Sequence, residues 1–118
     1  PYHYVGLELA QSIYSVALDQ KATGQTKYFN ADVVSLAKKD LNPGDTLDGE
    51  GGYCARGRLT TAKASIQNDY LPLGLTDNAK VIKPIKKDQF IKFSDVEINY
   101  LDEVKTARDY QKKLVNEN

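Results

Sequence analysis

Two stretches of this chain share one pattern at a fixed separation. "AKKDLNPGDTLD", Ala37 to Asp48, superposes without gaps on "VIKPIKKDQFIK", Val81 to Lys92. Leu41 falls on Ile85, the turn "NPGD" on "KKDQ", and Leu47 on Ile91. Each half reads as strand, tight turn, strand, so any fold must accommodate two such units. Two unrelated hairpins of this length would look much the same, and pattern alone leaves that alternative open. The first turn has its own chemistry: Pro43 fixes φ, and Gly44 accepts the positive φ of a type II turn.

Helical patterns flank the units. Val5, Leu9, Ile13, Val16 and Ala17 recur at helical spacing, with Leu7, Ala10 and Leu18 widening the stripe. They predict a helix over 5–20 that exits through "KATG" at Gly24. So wide an apolar face needs something substantial to pack on. "ADVVSLA" predicts a strand from Asp32 to Ala37, and "TTAKASIQNDY" a short helix capped by Thr60 or Thr61 and ended by "LPLGL". The alternation in "AKVIKPIKKDQFIKFSDVEI" predicts two short strands around Lys86 to Asp88. A last helix follows in "NYLDEVKTARDYQKKLV", with Asn99 as cap and Leu101, Val104, Ala107, Gln111 and Leu114 along one side. That stripe is thin, which suits the surface or a partner.

A length of 118 residues bounds the chain to one domain with pieces of a neighbour attached. Sixteen basic and sixteen acidic side chains cancel, which removes the electrostatic argument for nucleic acid or an anionic membrane as partner. No apolar run approaches the roughly 18 residues of a bilayer span. The one cysteine, Cys54, cannot pair within the chain, and the expected setting is the reducing cytoplasm. Methionine is absent, and the chain opens on the already patterned "PYHYVGLEL". The expectation is a fragment of a longer polypeptide.

Chemistry concentrates in "LDGEGGYCARGRL", Leu47 to Leu59. "GEGGYC" approaches the dinucleotide fingerprint, but Cys54 stands at the third glycine and no helical pattern follows. "GYCARGRL" has the glycine spacing of a phosphate-binding loop, yet Arg58 and Leu59 replace the lysine and hydroxyl residue that phosphate and magnesium require. Nucleotide binding by this segment is rejected. Asp48, Glu50, Arg56 and Arg58, with Tyr53 among them, still combine acceptors with forked donors. That set suits a hydroxylated anionic small molecule. A solvated turn whose charges pair with one another fits the same residues. His3 and Glu8 stand five apart near a helix start, as an acid/base pair or as an edge imidazole and a helix-favouring acid. With no second histidine, no zinc cluster is expected. Cys54 reads as a small buried packing residue, because no histidine neighbours it as a base.

The strings "YHYVGLEL", "ADVVSLAKKDLNPGDTLDGEGGY" and "LPLGLTDNAKVIKPIKKDQFIKFSDVEI" together resemble one family. It is the C-terminal region of homoserine dehydrogenase-like NAD(P)-dependent oxidoreductases that carry an SAF domain. The resemblance covers Tyr2 to about Ile98, and "K-D-L-x-P-G-x-x-L-D-G-E-G-G" is its most specific string. It implies an α+β chain: a small β-rich SAF domain of the β-clip fold over 35–98, with helices on both sides. Residues 1–34 would be the helical end of an upstream catalytic domain, and 99–118 a C-terminal helix. NAD(P) would bind the full-length enzyme and no cofactor this segment.

The resemblance further implies that the SAF module lies beside the cleft for a small hydroxylated or phosphorylated substrate. Asp48, Gly49, Glu50, Gly51 and Gly52 match the family string residue by residue. At "YCARGRL" the chain departs from the expected continuation, so the match does not carry Arg56 and Arg58. The resulting expectation is a module, inactive alone, that lines or closes a substrate site through Asp48, Glu50, Tyr53, Arg56 and Arg58, with His3 and Glu8 nearby. Its partners would be the upstream catalytic domain and the substrate, with no nucleic acid and no membrane; a homo-oligomer is compatible. The alternatives are a stand-alone module binding sugar acids or related carbohydrates, and an assembly module.

Overall fold

In the computed structural model, residues 4–24, 28–99 and 101–116 are described. Their order is α1 (Val5–Ala17), β1 (Ala31–Ala37), β2 (Thr46–Asp48), β3 (Ala55–Thr61), α2 (Ala62–Gln67), β4 (Asp77–Val81), β5 (Val96–Glu97) and α3 (Asp102–Asn116). The chain is a mixed α+β domain with two antiparallel sheets, β1–β3 and β2–β4–β5. Among the described residues, no helix is long and apolar enough to cross a membrane.

The repeat is the frame of this fold. Leu41 and Ile85 exchange both backbone hydrogen bonds, at 2.8 and 2.9 Å. Flanking that pair, bonds recur forty-four positions away. Ala37 N–H donates to Gln89 as Val81 N–H donates to Asp45; Asp88 N–H donates to Ala37 as Gly44 N–H donates to Val81. The turns match as well. Asn42 N–H donates to the Asp45 carboxylate, and Lys86 N–H to the Gln89 side-chain carbonyl, at 2.8 and 3.0 Å. Gly44 and Asp88, equivalent positions, both take positive φ, at 96° and 65°. A pseudo-twofold axis therefore passes through Leu41–Ile85.

One expectation changes here. The two arms of each tight turn do not pair with each other around Lys86 to Asp88; they pair with the other unit, and 85–92 contributes isolated bridges rather than a ladder. Crossing arms place Leu41, Leu47, Ile85, Ile91, Val81 and Ala37 in one core, each at most 3% exposed. β1 lies between β3 on one edge and Leu71 and Ile91 on the other. The expected boundary between residues 34 and 35 falls inside β1.

The helices differ from their patterns in what they bury. α2 starts where expected, with the Thr61 hydroxyl accepting from Ala64 N–H at 3.1 Å. α1 ends at Ala17, with the positive φ at Gln20, before Gly24 is reached. Among the described side chains, Leu9 is 60% exposed, Ile13 55%, and Leu18 just beyond the helix 74%. Among the described side chains of α1, Ser12 and Ser15 are the half-covered ones. A radius of gyration of 17.6 Å exceeds the roughly 13–14 Å of a compact domain of this length, as an outstanding helix requires. α3 begins at Asp102, with the Leu101 carbonyl rather than Asn99 receiving its first bonds. It buries Arg108, while Leu101 and Val104 of the expected apolar side lie open.

Candidate functional site

The glycine-rich turn is wrapped around one carboxylate. Asp48 ends β2, and its two oxygens accept the backbone N–H groups of Tyr53 and Cys54, at 2.6 and 2.9 Å. These bonds, Tyr53 first, lower its pKa from 3.8 to about 2. Closing so tight a turn requires positive φ at Gly49 and Gly51, 76° and 80°. Gly52 is required by space: a Cβ there would stand 2.3 Å from the Asp48 carboxyl carbon. Lys38 Nζ donates to the Gly52 carbonyl and fastens the turn to the end of β1.

This geometry divides the expected site residues. Asp48 is exposed, but its two oxygens are occupied by the backbone it holds. Glu50 and Tyr53 project from the same turn, Tyr53 84% exposed. Arg56 and Arg58 alternate onto one face of β3, opposite Leu36 and Val34. Arg56 is tied across the dyad to Asp88 at 2.7 Å, an exposed pair worth less than about 1 kcal/mol. Glu8 lines a shallow cleft between α1 and the returning Lys21–Thr23 segment, away from the turn. His3 lies outside the described residues. Cys54 is buried, and that burial, followed by the neighbouring Asp48 carboxylate, raises its thiol pKa.

The turn does not fit a dinucleotide. β3, a strand, follows it, so no helix N-terminus faces it, and Asp48 already takes two of its amides. What remains on the turn is an open acceptor and phenol, Glu50 and Tyr53; Arg58 stands further along β3. Glu50 and Tyr53 can hydrogen-bond a small polar molecule from solvent.

A second polar cluster escaped the sequence patterns. Arg108 on α3 bonds Asp32 on β1 at 2.7 Å; Ser65 on α2 donates to the same Asp32 oxygen at 2.6 Å. Gln111 accepts from Arg108 at 3.2 Å, and the guanidinium stands 5.5 Å from the Phe29 ring centre. Both charged side chains are nearly covered, so this is a clasp between three elements. Its only trace in the sequence is an arginine beside the thin stripe of the last helix.

The sequence matches no protein-family model and no curated protein.

Proposed function

We propose that this chain is the SAF module, of β-clip fold, of a homoserine dehydrogenase-like NAD(P)-dependent oxidoreductase, docked on the catalytic body through α1. The observation that carries the reading is the inverted exposure of α1. A helix of 13 residues is marginal in water by itself, and among its described side chains Ser12 and Ser15 are half-covered while Leu9, Ile13 and Val16 are open, as is Leu18 just beyond it. Each such side chain gains about 1.5–3 kcal/mol when fully buried, so the helix calls for a larger neighbour. The crossed strand–turn–strand units agree with a β-clip.

In this reading the module positions and encloses. Glu50 and Tyr53 offer an acceptor and a phenol to substrate hydroxyls, and Arg58 a forked donor to a carboxylate or phosphate. The cofactor belongs to the rest of the enzyme, since the residues here do not fit it. A free-standing carbohydrate-binding loop is less well supported, because the Asp48 carboxylate is already taken by two backbone amides.

The test is the size of the native polypeptide in its source cells, by immunoblot against these residues. A band several times larger than 13.1 kDa supports an attached module. A band at that mass overturns it. In the larger enzyme, Tyr53→Ala and Arg58→Ala should raise KM with kcat largely kept; an unchanged KM would remove the turn from the substrate site.

A further inference from the structure

The dyad relates two faces that the protein treats differently. In the first unit, α2 runs from the end of β3 to Leu71 on the far edge of β1, and its Ser65 bonds Asp32. It therefore lies across the face of β1 that carries Asp32, Val34 and Leu36, and Val34 and Leu36 are buried. The equivalent positions of the second unit are Asn78 and Lys80 on β4. Beside them on β5 is Glu97, equivalent to Arg56, since Lys80 pairs with Glu97 as Leu36 pairs with Arg56. Here no helix returns. The chain leaves β5 for α3, and α3 crosses to the first unit to place Arg108 on Asp32. The seat that α2 fills in one unit stays open in the other, as a cavity of about 510 Å³ lined by Asn78, Lys80, Glu97, Ile98 and Asn99.

Its lining is polar where the filled seat is apolar. Lys80 and Glu97 are direct cross-strand partners, a placement in which opposite charges ordinarily close on each other. They do not: the ion pairs among the described residues are made elsewhere, and no hydrogen bond engages the heads of Lys80, Glu97 or Asn99. Asn78 is held at φ 57°, a left-handed conformation absent from its equivalent, Val34. A cation and an anion face one opening unneutralised, with two amides, of which Asn78 also donates to the Asp77 carboxylate at 3.1 Å, and one apolar side chain around them. The volume lies in the range of small-molecule sites.

We propose that this opening binds a small zwitterion, a free amino acid with a polar side chain. Its carboxylate meets Lys80, its ammonium meets Glu97, and Asn78 and Asn99 take the side chain. The inference does not rest on the attached-module reading: a native mass of 13.1 kDa would end that reading and leave this one standing.

The experiment titrates the whole chain with L-glutamine while recording backbone amide shifts by NMR, with propionate and propylamine as single-charge controls. The expected result is saturable shifts confined to 77–81 and 96–99, with each control about tenfold weaker or more. Lys80→Ala and Glu97→Ala, both exposed and away from the core, should each weaken binding by a similar factor while the remaining spectrum stays folded. Absence of saturable shifts overturns the proposal. So do shifts centred on the 48–58 turn, or propionate binding as tightly as glutamine, which would mark simple attraction of an anion.

Discussion

The two dyad-related units begin alike and return differently. Each passes through a tight turn into a buried apolar residue, Leu47 or Ile91, and each must then come back to a strand, β3 or β5. The second unit returns through a 3-10 turn at Phe93–Asp95, where the Asp95 carboxylate accepts Lys92 N–H at 3.0 Å. The first takes three residues more to reach the equivalent pair, since Ala37–Ala55 corresponds to Val81–Val96. Those residues fit because Asp48 gathers two amides, Gly49 and Gly51 take positive φ, and Gly52 leaves room for the carboxylate. The glycine run is the local solution to an insertion between fixed ends. Its by-product is a projection carrying Glu50 and Tyr53, which the second unit lacks.

If the axis is as central as its hydrogen bonds indicate, Leu41→Ala and Ile85→Ala should be the most damaging changes. Each should cost about 2–5 kcal/mol, to a similar extent, and the double variant should cost less than their sum because the two residues touch. Urea unfolding measures all three. A large cost at one position and a negligible one at its mate would break the comparison. Gly52→Ala should cost about 1–3 kcal/mol by driving a methyl into the Asp48 carboxylate. Adding Asp48→Ala should make the glycine substitution less harmful, as the obstruction is gone; strict additivity would show that the turn is not built around that side chain.

Acid sharpens the same point. The folded pKa of Asp48 lies below its ordinary 3.8, so its contribution to folding is complete above about pH 4 and lost as pH falls toward about 2. Asp48→Asn should flatten that part of a stability–pH profile. A residual slope should remain from Asp40, which the Lys87 amide and then the Lys86 ammonium also depress. A variant profile parallel to the unaltered protein's would contradict this account. The smallest expected effect is a gain. Ser35 is wholly buried with its hydroxyl unpartnered, and its dyad mate is Ala79. Ser35→Ala should stabilise by about 1 kcal/mol, and a loss would reveal a partner for that hydroxyl.

Much of this frame was legible because it is local. Pro43 and Gly44 announce their turn, Thr61 its helix, and β-branched residues the strand at β1. The repeat was visible too, through Leu41, Ile85, Leu47 and Ile91. What stayed hidden depends on distant groups. No spacing rule says that the arms of one turn pair with those of the other, nor that "DGEGG" closes on the acid at its head. The Asp32–Ser65–Arg108 clasp joins three elements whose patterns are independent, so it has no motif. At the turn, composition identified which residues carry chemistry; that Asp48 is spent on two backbone amides while Glu50 and Tyr53 stay open was set by the folded turn.

The exchanged bonds at the axis also bear on how this domain is made. Leu41, Ala37 and Asp45 bond across the axis to Ile85, Gln89 and Val81, and closing so long a segment is slow and entropically unfavourable. A growing chain on the ribosome therefore has no core to form until about Ile91 has been synthesised and has cleared the exit. Until then Val34, Leu36, Leu41 and Leu47 are bare together, which makes the middle of translation the interval in which this sequence most needs shielding from aggregation.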